Sequence, residues 1–115
     1  MSKFETYNVS LQLIDKLRPL VAMIATHDRD LADQIRRAGS SVPLNICEGS
    51  KRVGRDRNHS FRIAAGSAAE VRAALAVACG WGYLNSQDAK AADDLLDRVL
   101  ALLWRITHPC PTPKR

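Results

Sequence analysis

Apolar residues recur along this chain at steps of three and four, the period of an amphipathic helix, in four successive segments. In the first, Tyr7, Leu11, Ile14, Leu17, Val21 and Ile24 form a stripe that predicts a helix from about Asn8 to Thr26. Pro19 falls inside it. Proline removes the bond to the carbonyl of Asp15 and crowds that turn, which predicts a kink or a break. The second segment starts near Arg29, after Asp28 as a capping residue, and carries Leu31, Ile35, Ala38, Val42 and Ile46. Pro43 lies within it, four residues after Gly39. The stripe keeps its phase across Pro43, which favours a bent continuous helix over two pieces.

The third segment, about Arg57 to Trp81, has a regular seam of Phe61, Ala64, Ala68, Val71, Leu75 and Ala78. It is rich in Ala and Gly, and Gly66 at its middle predicts a close approach by a neighbouring helix. The fourth, capped by Ser86 or Asp88, runs to about Thr107 on Ala92, Leu96, Val99, Leu103 and Ile106, backed by Leu95, Leu100 and Leu102. Gly54 can take a positive φ in the turn at 50–57, and Asp56 is a candidate N-cap. Trp81 and Tyr83, in the turn at 80–86, are expected to cover the end of the core. Three prolines after His108 forbid a helix and predict an extended, disordered tail over 108–115. Short connections make successive helices antiparallel. The expected fold is therefore all-α, an up-down-up-down four-helix bundle over 1–107, kinked at its prolines.

The second helix also carries a polar stripe. Arg37, Ser41, Asn45, Glu48 and Arg52 lie at helical steps beside the apolar one. Across the Gly54 turn, residues whose numbers add to roughly 108 to 110 should lie side by side. Glu48 is then opposite Arg62, Arg37 opposite Glu70, and Ser67 near Asn45. These residues are expected to form a structural network that holds the second and third helices in register.

Composition narrows the class. The chain has 115 residues, 46% apolar and only 5% aromatic, which suits one domain of closely packed helices. No run of wholly apolar residues is long enough to cross a bilayer, and Met1 to Glu5 has no secretory pattern, so a soluble cytoplasmic protein without a membrane partner is expected. Of three cysteines, Cys47 and Cys79 read as small core residues and Cys110 as a tail thiol. The net charge is +5, and all of that excess falls within 36–62: Arg36, Arg37, Lys51, Arg52, Arg55, Arg57 and Arg62 face only Glu48 and Asp56. Such clustering favours an anionic partner, nucleic acid first.

Two stretches carry more than patterning. QIRRAGSSVPLNICEGSKR (34–52), followed by FRIAAGSAAE (61–70), resembles the bacterial four-helix bundle family named after 23S rRNA intervening sequences. Its pattern is close to Q-[IL]-R-R-A-x-x-S-[IV]-P-x-N-I-A-E-G-x-x-R, then A-x-G-S-x-x-E; here Cys47 stands where Ala is usual. The resemblance implies a bundle that assembles into a ring, typically a homopentamer. It also implies kinship with the accessory protein of diversity-generating retroelements (Avd), a basic barrel that binds nucleic acid and a reverse transcriptase.

Three functions follow. The first is a non-catalytic oligomeric protein that binds nucleic acid, RNA favoured, with Arg36, Lys51, Arg52, Arg55 and Arg57 on phosphates. The second is a protein-interaction scaffold, such as a reverse-transcriptase accessory. The third is a ribonuclease in which Arg52 and His59, six residues apart in the intervening chain, supply a phosphate clamp and a general acid or base. No phosphate-binding glycine loop, Ser-His-Asp arrangement or metal-ligand spacing is visible, so neither a metal nor a cofactor is expected.

Overall fold

Four helices make up the computed structural model, which describes residues 3–109. They are α1 (Lys3–Ala25), α2 (Arg29–Ser50), α3 (Gly54–Gly80) and α4 (Ser86–Thr107). Each packs on its neighbours in chain order, and α4 closes on α1. The result is an antiparallel bundle, a rod of 57 × 23 × 19 Å. The Gly54 turn lies at one end, and the α1–α2 and α3–α4 turns lie at the other.

The core follows the predicted seams in three helices. All six seam residues of α3 are 1% exposed or less, and Ile35, Val42 and Ile46 of α2 and Leu96 and Val99 of α4 are fully buried. In α1 the buried stripe is Thr6, Val9, Ser10, Leu13, Leu17, Leu20, Val21 and Ile24. It differs from the expected stripe because two core positions hold hydroxyls. Ser10 donates to the Tyr7 carbonyl at 2.6 Å, which lets it enter the core without an unpaired group. Leu11, assigned to the core by its apolarity, is 44% exposed.

Both prolines are accommodated, as α1 and α2 run without interruption through Pro19 and Pro43. Of the helix caps, that of α2 is as expected and those of α3 and α4 differ. Asp28 caps α2 by accepting from the Leu31 N–H at 3.0 Å. The N-cap of α3 is Val53, not Asp56, which sits in the first turn; no side chain caps α3. The N-cap of α4 is Asn85, whose side chain and Asp88 form a reciprocal capping box. Gly54 has φ +61°, as the turn requires.

At the far end Leu84 is buried and Tyr83 stacks on His27 at 5.0 Å, whereas Trp81 is 70% exposed and covers nothing. Cys47 is exposed rather than a core residue, and Cys79 is half-buried. Burial, then Asp93 and Asp88, push the Cys79 thiol pKa up, which disfavours its thiolate. Cys110 and the rest of the expected tail beyond Pro109 lie outside the described residues. By length and composition α3 is apolar enough to cross a membrane, at mean hydropathy 1.3. Its seam, however, is the centre of the bundle.

Candidate nucleic-acid interface

The polar stripe of α2 meets α3 at three heights. Nearest the turn, Gly49 faces Phe61. A Cβ on Gly49 would come within 2.8 Å of the Phe61 ring, so only glycine allows this approach. Eight residues back along α2, Ser67 Oγ donates to Ser41 Oγ at 2.8 Å. Asn45 Nδ2 donates to the same Ser41 oxygen and to the Ser41 carbonyl, both at 2.9 Å. Deeper still, Gln34 Nε2 donates to Glu70 Oε2 at 3.5 Å. Both Gly49–Phe61 and Ser41–Ser67 obey the register arithmetic.

The two expected ion pairs do not form. Glu48 accepts from Arg52, two residues past the end of its own helix, at 3.3 Å, and Glu70 takes Gln34 instead of Arg37. Arg37 and Arg62 are exposed, with no ion pair to any described residue. Register sets height along the bundle but not the face of the helix, and Arg62 shares a height with Glu48 without sharing its face. The Glu48–Arg52 pair is about half exposed on both sides. It is therefore worth at most about 1 kcal/mol, far below a buried pair. The Ser41–Asn45–Ser67 cluster holds no titratable group. It can position two helices, but it cannot move a proton.

The basic residues gather at the turn. Lys51, Arg52 and Arg55 are exposed around Gly54, and Arg57 is half-buried. Arg57 is held in place: its guanidinium lies 5.1 Å over the Phe61 ring, and it donates to Asn58 at 3.2 Å. Because α3 starts without a side-chain cap, its first N–H groups and the positive end of its dipole face outward among these cations. Arg36 is not part of this group. It lies fourteen residues before the end of α2, about 21 Å away along the helix, paired with Asp33 at 3.0 Å. His59 is exposed on the first turns of α3.

The end of α4 belongs here too, and sequence reading passed over it. The Arg72–Asp97 pair fixes the α3–α4 register and puts Trp104 and His108 at the height of Ala65 and Phe61. Trp104 is 62% exposed and stacks on His108 at 3.5 Å between centroids. Arg105 is exposed beside them. The sequence signal was available, since Trp104 falls just off the Leu96–Val99–Leu103 seam, where a core residue would not sit.

These features define a class: a four-helix bundle with a cationic turn, pinned by a glycine contact and a serine–asparagine cluster. The chain belongs to the 23S rRNA-intervening sequence protein family, whose profile matches residues 2–105. It also resembles a crystal structure of a protein of unknown function from the S23 ribosomal protein family of Bacteroides thetaiotaomicron. That protein is 21% identical, with a TM-score of 0.82 over 90% of this chain and 98% of the other, a likeness of fold. No curated protein matches.

Proposed function

We propose that this protein is a soluble, non-catalytic, oligomeric nucleic-acid-binding protein, with RNA the favoured ligand. The observation that carries the reading is the convergence of Lys51, Arg52, Arg55 and Arg57 on the uncapped start of α3. Four cations and outward N–H groups make a phosphate-binding end, and Arg62 and Arg105 extend its charge. Trp104 at the same end offers one exposed ring on which a base can stack. Phe4, 73% exposed at the start of α1, offers a second ring at this end, and with so few rings binding is weakly sequence-specific. Repetition in a ring, pentameric if the family habit holds, multiplies the field of every turn.

The test is fluorescence anisotropy of labelled RNA and DNA with the protein and the triple variant Arg52→Glu, Arg55→Glu, Arg57→Glu. The reading expects binding by the parent and its loss in the variant. Equal binding by both would remove the turn as the site. Parent protein that binds neither polymer at low salt would leave the protein-scaffold reading in its place.

A further inference from the structure

The end of the rod that carries the Gly54 turn brings all four helices together, α1 and α3 by their starts, α2 and α4 by their ends. Charge and rings lie on different helices there. Lys51, Arg52, Arg55 and Arg57 belong to the α2–α3 turn. The exposed rings, Phe4 and Trp104, belong to α1 and α4, which pack on each other along the other side of the bundle. The bundle is 23 × 19 Å across, so a ligand that meets both groups crosses its end.

Trp104 is prepared for stacking. His108 already lies against its indole, 15° from parallel. The imidazole is held there, with its Nδ1 3.1 Å from the Trp104 carbonyl and 3.0 Å from Thr107 Oγ1. Rings fixed before a ligand arrives lose little side-chain freedom when it binds. Phe4 edges a groove of about 250 Å³ that it lines with Lys3, Tyr7, Cys47 and Ser50. Each exposed ring is next in sequence to a cation, Lys3 before Phe4 and Arg105 after Trp104. A ring beside a cation matches a nucleotide, whose flat base is joined to a phosphate.

These positions separate two forms of nucleic acid. A duplex turns the faces of its bases onto one another, and only its last pairs expose any. An unpaired strand offers a face at every nucleotide. Charge alone favours the duplex, which carries one phosphate for about every 1.7 Å of its axis. Rings beside the cations favour the strand.

We infer that this end of the bundle selects single-stranded nucleic acid, with phosphates on the α2–α3 turn, Lys3 and Arg105, and unpaired bases stacked on Trp104 and Phe4. The inference rests on the reading of the turn as a phosphate site and names the form of nucleic acid that the site takes. The rings touch base faces and read no base edges, so the selection is for unpaired bases and not for a sequence.

Fluorescence anisotropy with three labelled RNA probes of one length, at one salt concentration, tests it. They are an unstructured strand, the same strand paired with its complement, and an abasic strand that keeps its phosphates without bases. The strand is expected to bind about tenfold tighter than either of the others. Trp104→Ala and Phe4→Ala should each weaken strand binding about fivefold or more and leave duplex binding unchanged. Both side chains are mostly exposed, and thermal melts check that each variant folds; Trp104→Leu replaces Trp104→Ala if that variant does not. Trp81→Phe leaves Trp104 as the single tryptophan of the chain's two, and its fluorescence should be quenched by the strand and not by the duplex. A parent that binds none of the probes would overturn the phosphate-binding turn and this inference together. Equal binding of all three probes, or ring variants that bind the strand as the parent does, would overturn the stacking alone and leave the turn as a phosphate site.

Discussion

Two glycines carry opposite lessons about small side chains. Gly49 is indispensable because Phe61, fully buried, cannot yield to a Cβ at 2.8 Å. Overpacking of this kind costs about 1–3 kcal/mol, and alanine's better helix propensity returns up to about 1. Gly49→Ala is therefore expected to lose roughly 1–2 kcal/mol in urea unfolding; an unchanged midpoint would show that the ring moves aside freely. Gly66 is the reverse. A Cβ there meets nothing within 4 Å, so the close neighbour anticipated for it is absent among the described residues. Gly66→Ala should stabilise the fold by up to about 1 kcal/mol, visible as a higher melting temperature. Asp93 adds a pH dependence. Desolvation raises its folded pKa, so the folded state holds the proton more tightly than the unfolded one. Its unfavourable contribution is present above the folded pKa and disappears as pH falls toward the ordinary aspartate range. Asp93→Asn should thus stabilise the monomer at neutral pH and flatten that slope, a change that pH-dependent melts would register.

At the scale of elements, helices were legible wherever core positions are apolar. The seams of α3 and α4 and the stripe of α2 appear in the sequence because Ala, Val, Leu and Ile mark them directly. The stripe of α1 was displaced because Thr6 and Ser10 occupy core positions as hydroxyls, which a pattern of apolar residues does not count. Caps were read less well. Asp56 and Ser86 have capping chemistry, but the chain enters α3 at Val53 and α4 at Asn85. A residue's fitness to cap says little about where the backbone turns. The contact between α2 and α3 was legible in height and not in face: Ser41 and Ser67 meet, while Glu48 and Arg62 do not. Ser41→Ala removes the oxygen that accepts from both Asn45 and Ser67. It should cost about 1–2 kcal/mol, and Ser67→Ala on top of it should cost less than the two singly, since they share one cluster. Full additivity in a double-mutant cycle would contradict a shared network.

The whole molecule is a rod with unlike ends. One carries the basic turn, Arg105 and Trp104; the other carries the His27–Tyr83 stack and the buried Leu84. Localised charge was plain in the sequence, because the excess of +5 falls within 36–62. Its division was not. Helical rise carries Arg36 about 21 Å from the turn, onto the groove between α1 and α2, so one run of basic residues is divided between two places on the molecule. The contribution of α4 stayed hidden for a related reason, as antiparallel folding brings residues 104–108 beside the start of α3 across more than forty residues of chain.

The claim that the cationic turn binds nucleic acid is tested most directly by the salt dependence of RNA binding to the full chain. Four turn cations on a single strand predict that log affinity falls against log salt with a slope near −3 for each turn engaged, and that the Arg52→Glu, Arg55→Glu, Arg57→Glu variant loses that slope with its affinity. Binding that ignores salt would contradict a phosphate-binding turn.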